Sequence, residues 1–279
     1  MGEVNAIKTM GSKENVGELF VCTRLFLYEA CIIPSLLYQI ETWSPLLKKD
    51  EMKQLESLQK DILCSLLHLP KTTTYWGLLH ETGMWSIRWR VVYRKIMLYH
   101  NIMVGDDERL AKEILEQQIE EGNEESFANQ VREDSAALGI TDLTEHSKSQ
   151  LKEKVKRAIR ERMADEVKEE AAKSSKMRFI VPGDDFQQSE YIGELPGDDV
   201  LEVLKVRLNM VNIYGNYKND LTKKRWCPHC FEERDTTEHL ISCSALEGMR
   251  IWKEKDLCST DAGNWRSMLE TIRRNMESR

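Results

Sequence analysis

The sequence predicts a mostly α protein: a helical bundle, a long charged connector helix and a small C-terminal zinc-knuckle module. Three observations lead there. Only 14 glycines and 6 prolines punctuate 279 residues, which favours helices over many short strands. Apolar residues recur three and four apart through several segments. Three cysteines and a histidine crowd into 17 residues near the C-terminus, in CPHCFEERDTTEHLISC.

The first 17 residues read as a flexible lead-in, and a thumb-like bundle is expected over 18–105. Its first helix runs from about Glu18 to Trp43, apolar on nearly all sides and kinked at Pro34. Ser44-Pro45 resembles the cap and first position of a second helix, with Leu55, Leu58, Ile62 and Leu66 on its buried face and Pro70 ending it. A third helix covers about Trp85 to Met103. Trp85, Trp89, Val92, Ile96, Tyr99 and Met103 form one stripe, read as core packing rather than a stacking platform. Ile87, Val91 and Leu98 form another, leaving Arg90 and Arg94 outward. Cys22, Cys31 and Cys64 read as small buried hydrophobes.

Residues 106–199 are expected to form the acidic connector. Two short helices precede a long one from His146 to Ser175, whose Leu151, Val155, Ile159, Met163 and Val167 make a narrow stripe on a charged rod. Glu153 and Arg157 are placed for an i,i+4 pair. Residues 180–199 read as loop, with PGDD occurring twice, at 182–185 and 196–199. Asp198 or Asp199 is placed to cap a helix from Val200 to Met210. Residues 200–279 then hold the zinc module and two short helices.

The metal reading rests on spacing. In C-x2-C-x8-H-x3-C, Cys227 and Cys230 suit a tight knuckle, and His239 and Cys243 share one face of a helical turn. Three thiolates and an imidazole close a tetrahedral shell around one structural Zn2+, leaving no open position for chemistry. His229 lies inside the knuckle, poorly placed to be a ligand.

The net charge of −7 argues against indiscriminate nucleic-acid binding, yet it is uneven. Residues 1–105 carry 12 basic and 10 acidic side chains, 106–205 carry 15 and 26, and 206–279 carry 13 and 11. Two basic patches stand out. Lys152, Lys154, Lys156, Arg157, Arg160 and Arg162 face only Glu153 and Glu161 over the same stretch, enough to track phosphates. Lys223, Lys224, Arg225 and Trp226 directly precede the knuckle and set cations beside an aromatic, although Glu232, Glu233, Asp235 and Glu238 crowd the knuckle interior. The cysteines do not form a secretory disulfide framework, so a reducing compartment, nuclear or cytoplasmic, is expected. The strongest apolar run, LFLYEACIIPSLLYQI, holds Glu29 and Pro34 and is too short and polar to span a membrane. Ala6 disfavours myristoylation at Gly2.

Several segments share a resemblance. LFLYEACIIPSLLYQIETW resembles the start of the thumb in reverse transcriptases of non-LTR retrotransposons, with Leu27, Tyr28, Pro34, Leu36, Leu37, Tyr38, Glu41 and Trp43 in step and Gln39 where that family usually has glycine. The following stretch, with Leu69-Pro70 and the E-x-G of Glu81 and Gly83, and the later KVRLNMVNIYGNYKND with the knuckle, are similar to the same family. The polymerase motif Y-x-D-D does not occur in this sequence, and neither the palm nor an endonuclease is matched. The resemblance therefore implies a non-catalytic nucleic-acid-binding region that contacts RNA or DNA, as template–primer duplex or target DNA, with a separate polymerase chain as a possible partner. Two other readings stand beside it. One is a protein–protein adaptor that has kept the fold without nucleic-acid contact. The other is an enzyme whose metal site is built from Asp184, Asp185, Asp198 and Asp199, which requires those four to converge.

Overall fold

The computed structural model describes residues 20–105, 109–213, 226–245 and 252–277. The expected lead-in at 1–17 lies outside them. Among the described residues the fold is α-helical, with a single isolated bridge between Trp226 and Arg234 in place of any sheet.

Helix α1 runs Val21–Leu36 and α2 Ile40–Trp43, with a bend of 44° where α1 gives way to the segment Ile40–Leu46. The expected kink at Pro34 is not the break. A π-helical turn at Tyr28–Ile32 widens the helix just before the proline and absorbs its missing N–H and its clash with the preceding turn. The chain turns instead at Gln39, which adopts a left-handed conformation at φ 49°. Nor is α1 apolar-in on all sides. Val21, Leu25, Tyr28, Ile32 and Ile33 are buried, whereas Cys22, Phe26, Ala30, Cys31 and Pro34 face solvent. Cys22 and Cys31 are thus exposed and only Cys64 of the three is buried, because α1 lies along the outside of the core and buries one face.

Ser44-Pro45 starts only a short 3-10 turn, Ser44–Leu46. Helix α3, Lys49–Leu66, begins after Leu47 extends the chain, and Glu51 accepts the Lys48 backbone N–H at 2.8 Å to cap it. Leu58 is exposed; Gln59, Ile62, Leu63 and Leu66 form the inward face. A helix not anticipated from the sequence follows, α4 at Tyr75–Thr82, ended by Gly83 at φ 66°. Helix α5, Ile87–Met103, is capped by Ser86 and packs against α2, α3 and the later helices, which explains its two apolar stripes. Arg90 and Arg94 do not point freely outward. Arg90 holds Glu29 of α1, and Arg94 pairs with Glu41 and donates to the Leu37 carbonyl, so both clasp the α1–α2 corner.

Helices α6 (Leu110–Glu121) and α7 (Phe127–Ala137) pack on each other and on α5. The long helix α8, Lys148–Lys173, is capped by Ser147 and Gln150. Its stripe Leu151, Val155, Ile159, Met163 and Val167 is completely buried against α4 and α5. Each of those side chains contributes about 1.5–3 kcal/mol by leaving water, so the narrow stripe suffices to fix a highly charged helix. Glu153 pairs with Lys156 and Arg157 with Glu161, rather than with each other.

The remainder is short: α9 (Tyr191–Glu194), α10 (Gly197–Arg207), α11 (His239–Ser242) and α12 (Ala262–Glu277). Neither Asp198 nor Asp199 caps α10. Pro196 takes that position and both aspartates fall in the first turn, where they favour the helix dipole. Helices α9 and α10 both touch α1, and α12 packs on α10 and α11. One apolar core therefore runs from Val21 to Ile272 through the 18–105, 106–199 and 200–279 segments alike.

A buried ion pair crosses that core. Glu81 and Arg207 meet through two hydrogen bonds of 2.8 and 2.9 Å, and Tyr191 and Ser189 also donate to the same carboxylate, at 2.6 and 3.0 Å. Arg207 further donates to the carbonyls of Leu257 and Ser259.

Candidate metal centre and basic surfaces

The knuckle is a small hairpin. The Cys227 N–H donates to Glu233 O at 2.8 Å and the Phe231 N–H to Cys227 O at 3.0 Å, closing a tight turn around Pro228–Cys230. Such a turn aims backbone N–H groups at sulfur: Glu232 N–H lies 3.4 Å from Cys230 Sγ. It also forces Phe231 to φ 56°, a conformation that costs an L side chain about 1–2 kcal/mol and glycine nothing.

The four ligand atoms of Cys227, Cys230, His239 and Cys243 all lie within 4.8 Å of one another. Cys227 Sγ and Cys243 Sγ are 3.7 Å apart, and Cys230 Sγ and His239 Nε2 3.3 Å. Metal–sulfur bonds of about 2.3 Å at tetrahedral angles place neighbouring sulfurs about 3.8 Å apart, so the residues present fit a tetrahedral ion. His239 is oriented from behind. Its Nδ1 lies 3.1 Å from Glu233 Oε2, which leaves Nε2 to face the three sulfurs. Burial, reinforced by the neighbouring cysteines, pushes the Cys243 thiol up to about 12. Burial opposes ionisation of Cys230 as well, but the N–H groups of Glu232 and Glu233 outweigh it and lower that thiol's pKa. A bound cation would supply the positive charge that three adjacent thiolates need.

The centre is anchored to the core. His229 is not a ligand; its Nε2 lies 3.0 Å from the Asn275 carbonyl oxygen of α12. Asn275 donates to Leu240 O at 3.0 Å, Thr237 donates to Asn209 at 2.7 Å, and Arg178 pairs with Glu238. The acidic residues of the knuckle are thus largely engaged: Glu233 by His239, Glu238 by Arg178, while Asp235 is buried.

The basic positions divide. On α8, Lys152, Arg157, Arg160 and Arg162 are exposed and Lys156 half-buried. Lys156 and Arg157 are in ion pairs, whereas among the described residues no carboxylate pairs with Lys152, Arg160 or Arg162. Of the knuckle lead-in, Lys223, Lys224 and Arg225 lie outside the described residues; Trp226 is 52% exposed and bridged to Arg234. Arg178, just beyond the C-terminal end of α8, touches the knuckle through Glu238, and at 1.5 Å per residue Lys156 lies about 25 Å back along the helix.

Sequence reasoning missed Phe231, which is 69% exposed on the same hairpin as Trp226. The signal was present: an aromatic follows the second cysteine, where the turn favours glycine. The four aspartates of the PGDD repeats do not gather into a metal site. Asp184 pairs with Lys168 of α8, Asp185 bonds Gln187, and Asp199 pairs with Arg273 of α12. Among the described residues no single helix is long and apolar enough to cross a membrane; α1 with Ile40–Leu46 has the composition but is bent and buries one face in the core. Comparison with protein-family models, with curated proteins and with solved structures gives no match.

Proposed function

We propose that this chain is a non-catalytic nucleic-acid-binding protein whose C-terminal hairpin is held by one structural zinc ion. The observation that carries the binding reading is the set of three unpaired cations on α8, Lys152, Arg160 and Arg162. These cations stand in solvent without carboxylate partners, on a helix whose Leu151–Val167 stripe is locked into the core, so phosphates can be met without reordering the scaffold. Three sulfurs and one imidazole nitrogen within 4.8 Å of one another select zinc over calcium or magnesium, which take oxygen donors. With four protein donors the ion has a structural role.

The resemblance to the thumb and knuckle of non-LTR retrotransposon reverse transcriptases points the same way. The left-handed Gln39 stands where that pattern carries glycine, the residue such a conformation favours. On this reading the ligand is RNA or DNA, as template–primer duplex or target DNA, and a separate polymerase chain is the natural protein partner.

Salt dependence tests it. Binding of labelled duplex DNA, RNA and hybrid should weaken steeply as salt rises, and replacing Lys152, Arg160 and Arg162 together by glutamate should flatten the slope by about three phosphate contacts. Absence of binding to all three near physiological salt overturns the proposal. The exposed apolar row of Cys22, Phe26, Ala30 and Pro34, continued by Tyr38, favours the second reading, a protein–protein adaptor with a structural zinc site. That reading gains if nucleic acid is not bound and Phe26→Ser abolishes capture of a polymerase or other protein partner.

A further inference from the structure

The geometry points to Phe231 and Trp226 as a stacking platform for unpaired nucleobases, an inference that rests on the nucleic-acid reading above and names the form of the ligand. Phe231 occupies a left-handed position where glycine is cheaper, and its ring is mostly in solvent, so packing within the protein does not offset that strain. Trp226 is the second exposed aromatic on the same hairpin. Its bridge partner Arg234 projects from the same side of the two-residue ribbon, is exposed, and among the described residues has no ion-pair partner. Two aromatic rings and a guanidinium plane, on a turn fixed by its metal ligands, are the elements that hold single strands: rings take bases of any sequence and the guanidinium takes a phosphate or a base face.

Unpaired nucleic acid is favoured over duplex because the bases of a duplex are already stacked on one another. Glu232, Glu233 and Asp235 outnumber Arg234 and leave the hairpin net negative, so its contribution is stacking rather than phosphate attraction. That separates it from the α8 cations: loss of a stacking residue should lower affinity without changing the salt slope, whereas loss of α8 cations should change the slope.

The test uses the full zinc-loaded chain with a fluorescent 12-nucleotide oligo(dT), the matching oligo(U) and a 12-base-pair duplex. Phe231→Gly should keep its metal and unfold at the same or a higher midpoint, yet bind both single strands about tenfold more weakly, with the salt slope and duplex affinity unchanged. Trp226→Ala should act alike, and Phe231→Tyr should restore binding. If Phe231→Gly and Trp226→Ala bind single strands as wild type does, the platform is overturned while the nucleic-acid reading stands. An equal loss for duplex and single strands also overturns it. If wild type binds none of the three probes, both readings fall.

Discussion

Glu81 and Arg207, 126 residues apart in sequence, form a fully buried bidentate ion pair that joins α4 to α10 at the centre of the protein. Every nitrogen and oxygen of the pair is hydrogen-bonded: the carboxylate also receives Tyr191 and Ser189, and the guanidinium also reaches the carbonyls of Leu257 and Ser259. Four segments thereby converge on two charges. Removing one charge strands the other in the core, so Glu81→Gln or Arg207→Leu should each cost about 3–5 kcal/mol in urea unfolding. The double variant Glu81→Leu with Arg207→Leu should cost clearly less than the sum, because it leaves no unpaired charge. Additive losses would show that the pair is not coupled.

The same pair sets an acid limit. Burial alone would raise the Glu81 pKa, but the Arg207 charge and hydrogen bonds outweigh it and hold the carboxyl well below the usual carboxylate range. A depressed folded-state pKa gives stability that is complete above the unfolded value of about 4.3–4.5 and drains away as pH falls below it. Wild type should lose stability on acidification below about pH 4.5, and Glu81→Gln should lose less over that window. Parallel pH profiles for the two proteins would remove Glu81 from the account.

Much of this was legible in sequence and some was not, for physical reasons. The Leu151–Val167 stripe announced α8 because a period near four is a local property of the chain. Gly83 and Glu81 stood out as a motif, but their reason lies far away: Arg207 approaches the carboxylate, and the Gln188 backbone would lie 2.6 Å from a Cβ on Gly83. The clustering of Cys227, Cys230, His239 and Cys243 was readable because a knuckle is built from near neighbours. The outward placement of Arg90 and Arg94 failed because an exposed-looking helix face was later covered by the α1–α2 corner. Helix α4 was missed because it is short and follows Pro70 and three threonines, which read as loop.

Metal removal should act locally first. Cys227→Ser or Cys243→Ser should abolish zinc retention, measured by elemental analysis of the purified protein. Hydrogen exchange should quicken over 226–245 and in α12, which holds the hairpin through Asn275, while the centre of α5 stays protected. Absence of zinc from wild type would defeat the metal assignment outright. Rapid exchange throughout α5 would show that the shared core depends on the metal.

Helix α8 depends on its stripe. Ile159→Ala removes a fully buried side chain facing α4 and α5 and should cost about 2–5 kcal/mol, whereas Arg160→Ala, on the exposed side, should stay within about 0.5 kcal/mol. Equal, small effects at both positions would mean that α8 does not dock as the structure places it. The comparison also guards the binding experiments, since charge variants at Lys152, Arg160 and Arg162 must leave the unfolding midpoint in place.

Two left-handed positions should respond with opposite signs to opposite substitutions. Gln39 carries φ 49° on an exposed turn, so Gln39→Gly relieves strain of about 1–2 kcal/mol and loses up to about 1 kcal/mol to the greater freedom of the unfolded chain. The balance should be a small gain in stability. Gly83→Ala meets both penalties: φ is 66°, and the added Cβ lies 2.6 Å from the Gln188 backbone nitrogen, which is not free to move because Ser189 N–H donates to Glu81 O beside it. That substitution should destabilise by more than about 1–2 kcal/mol, because steric overlap adds to the conformational cost. It should also disturb the Glu81 network, seen as a weaker acid dependence than wild type. A destabilising Gln39→Gly would mean that the glutamine side chain contributes contacts outweighing its backbone strain.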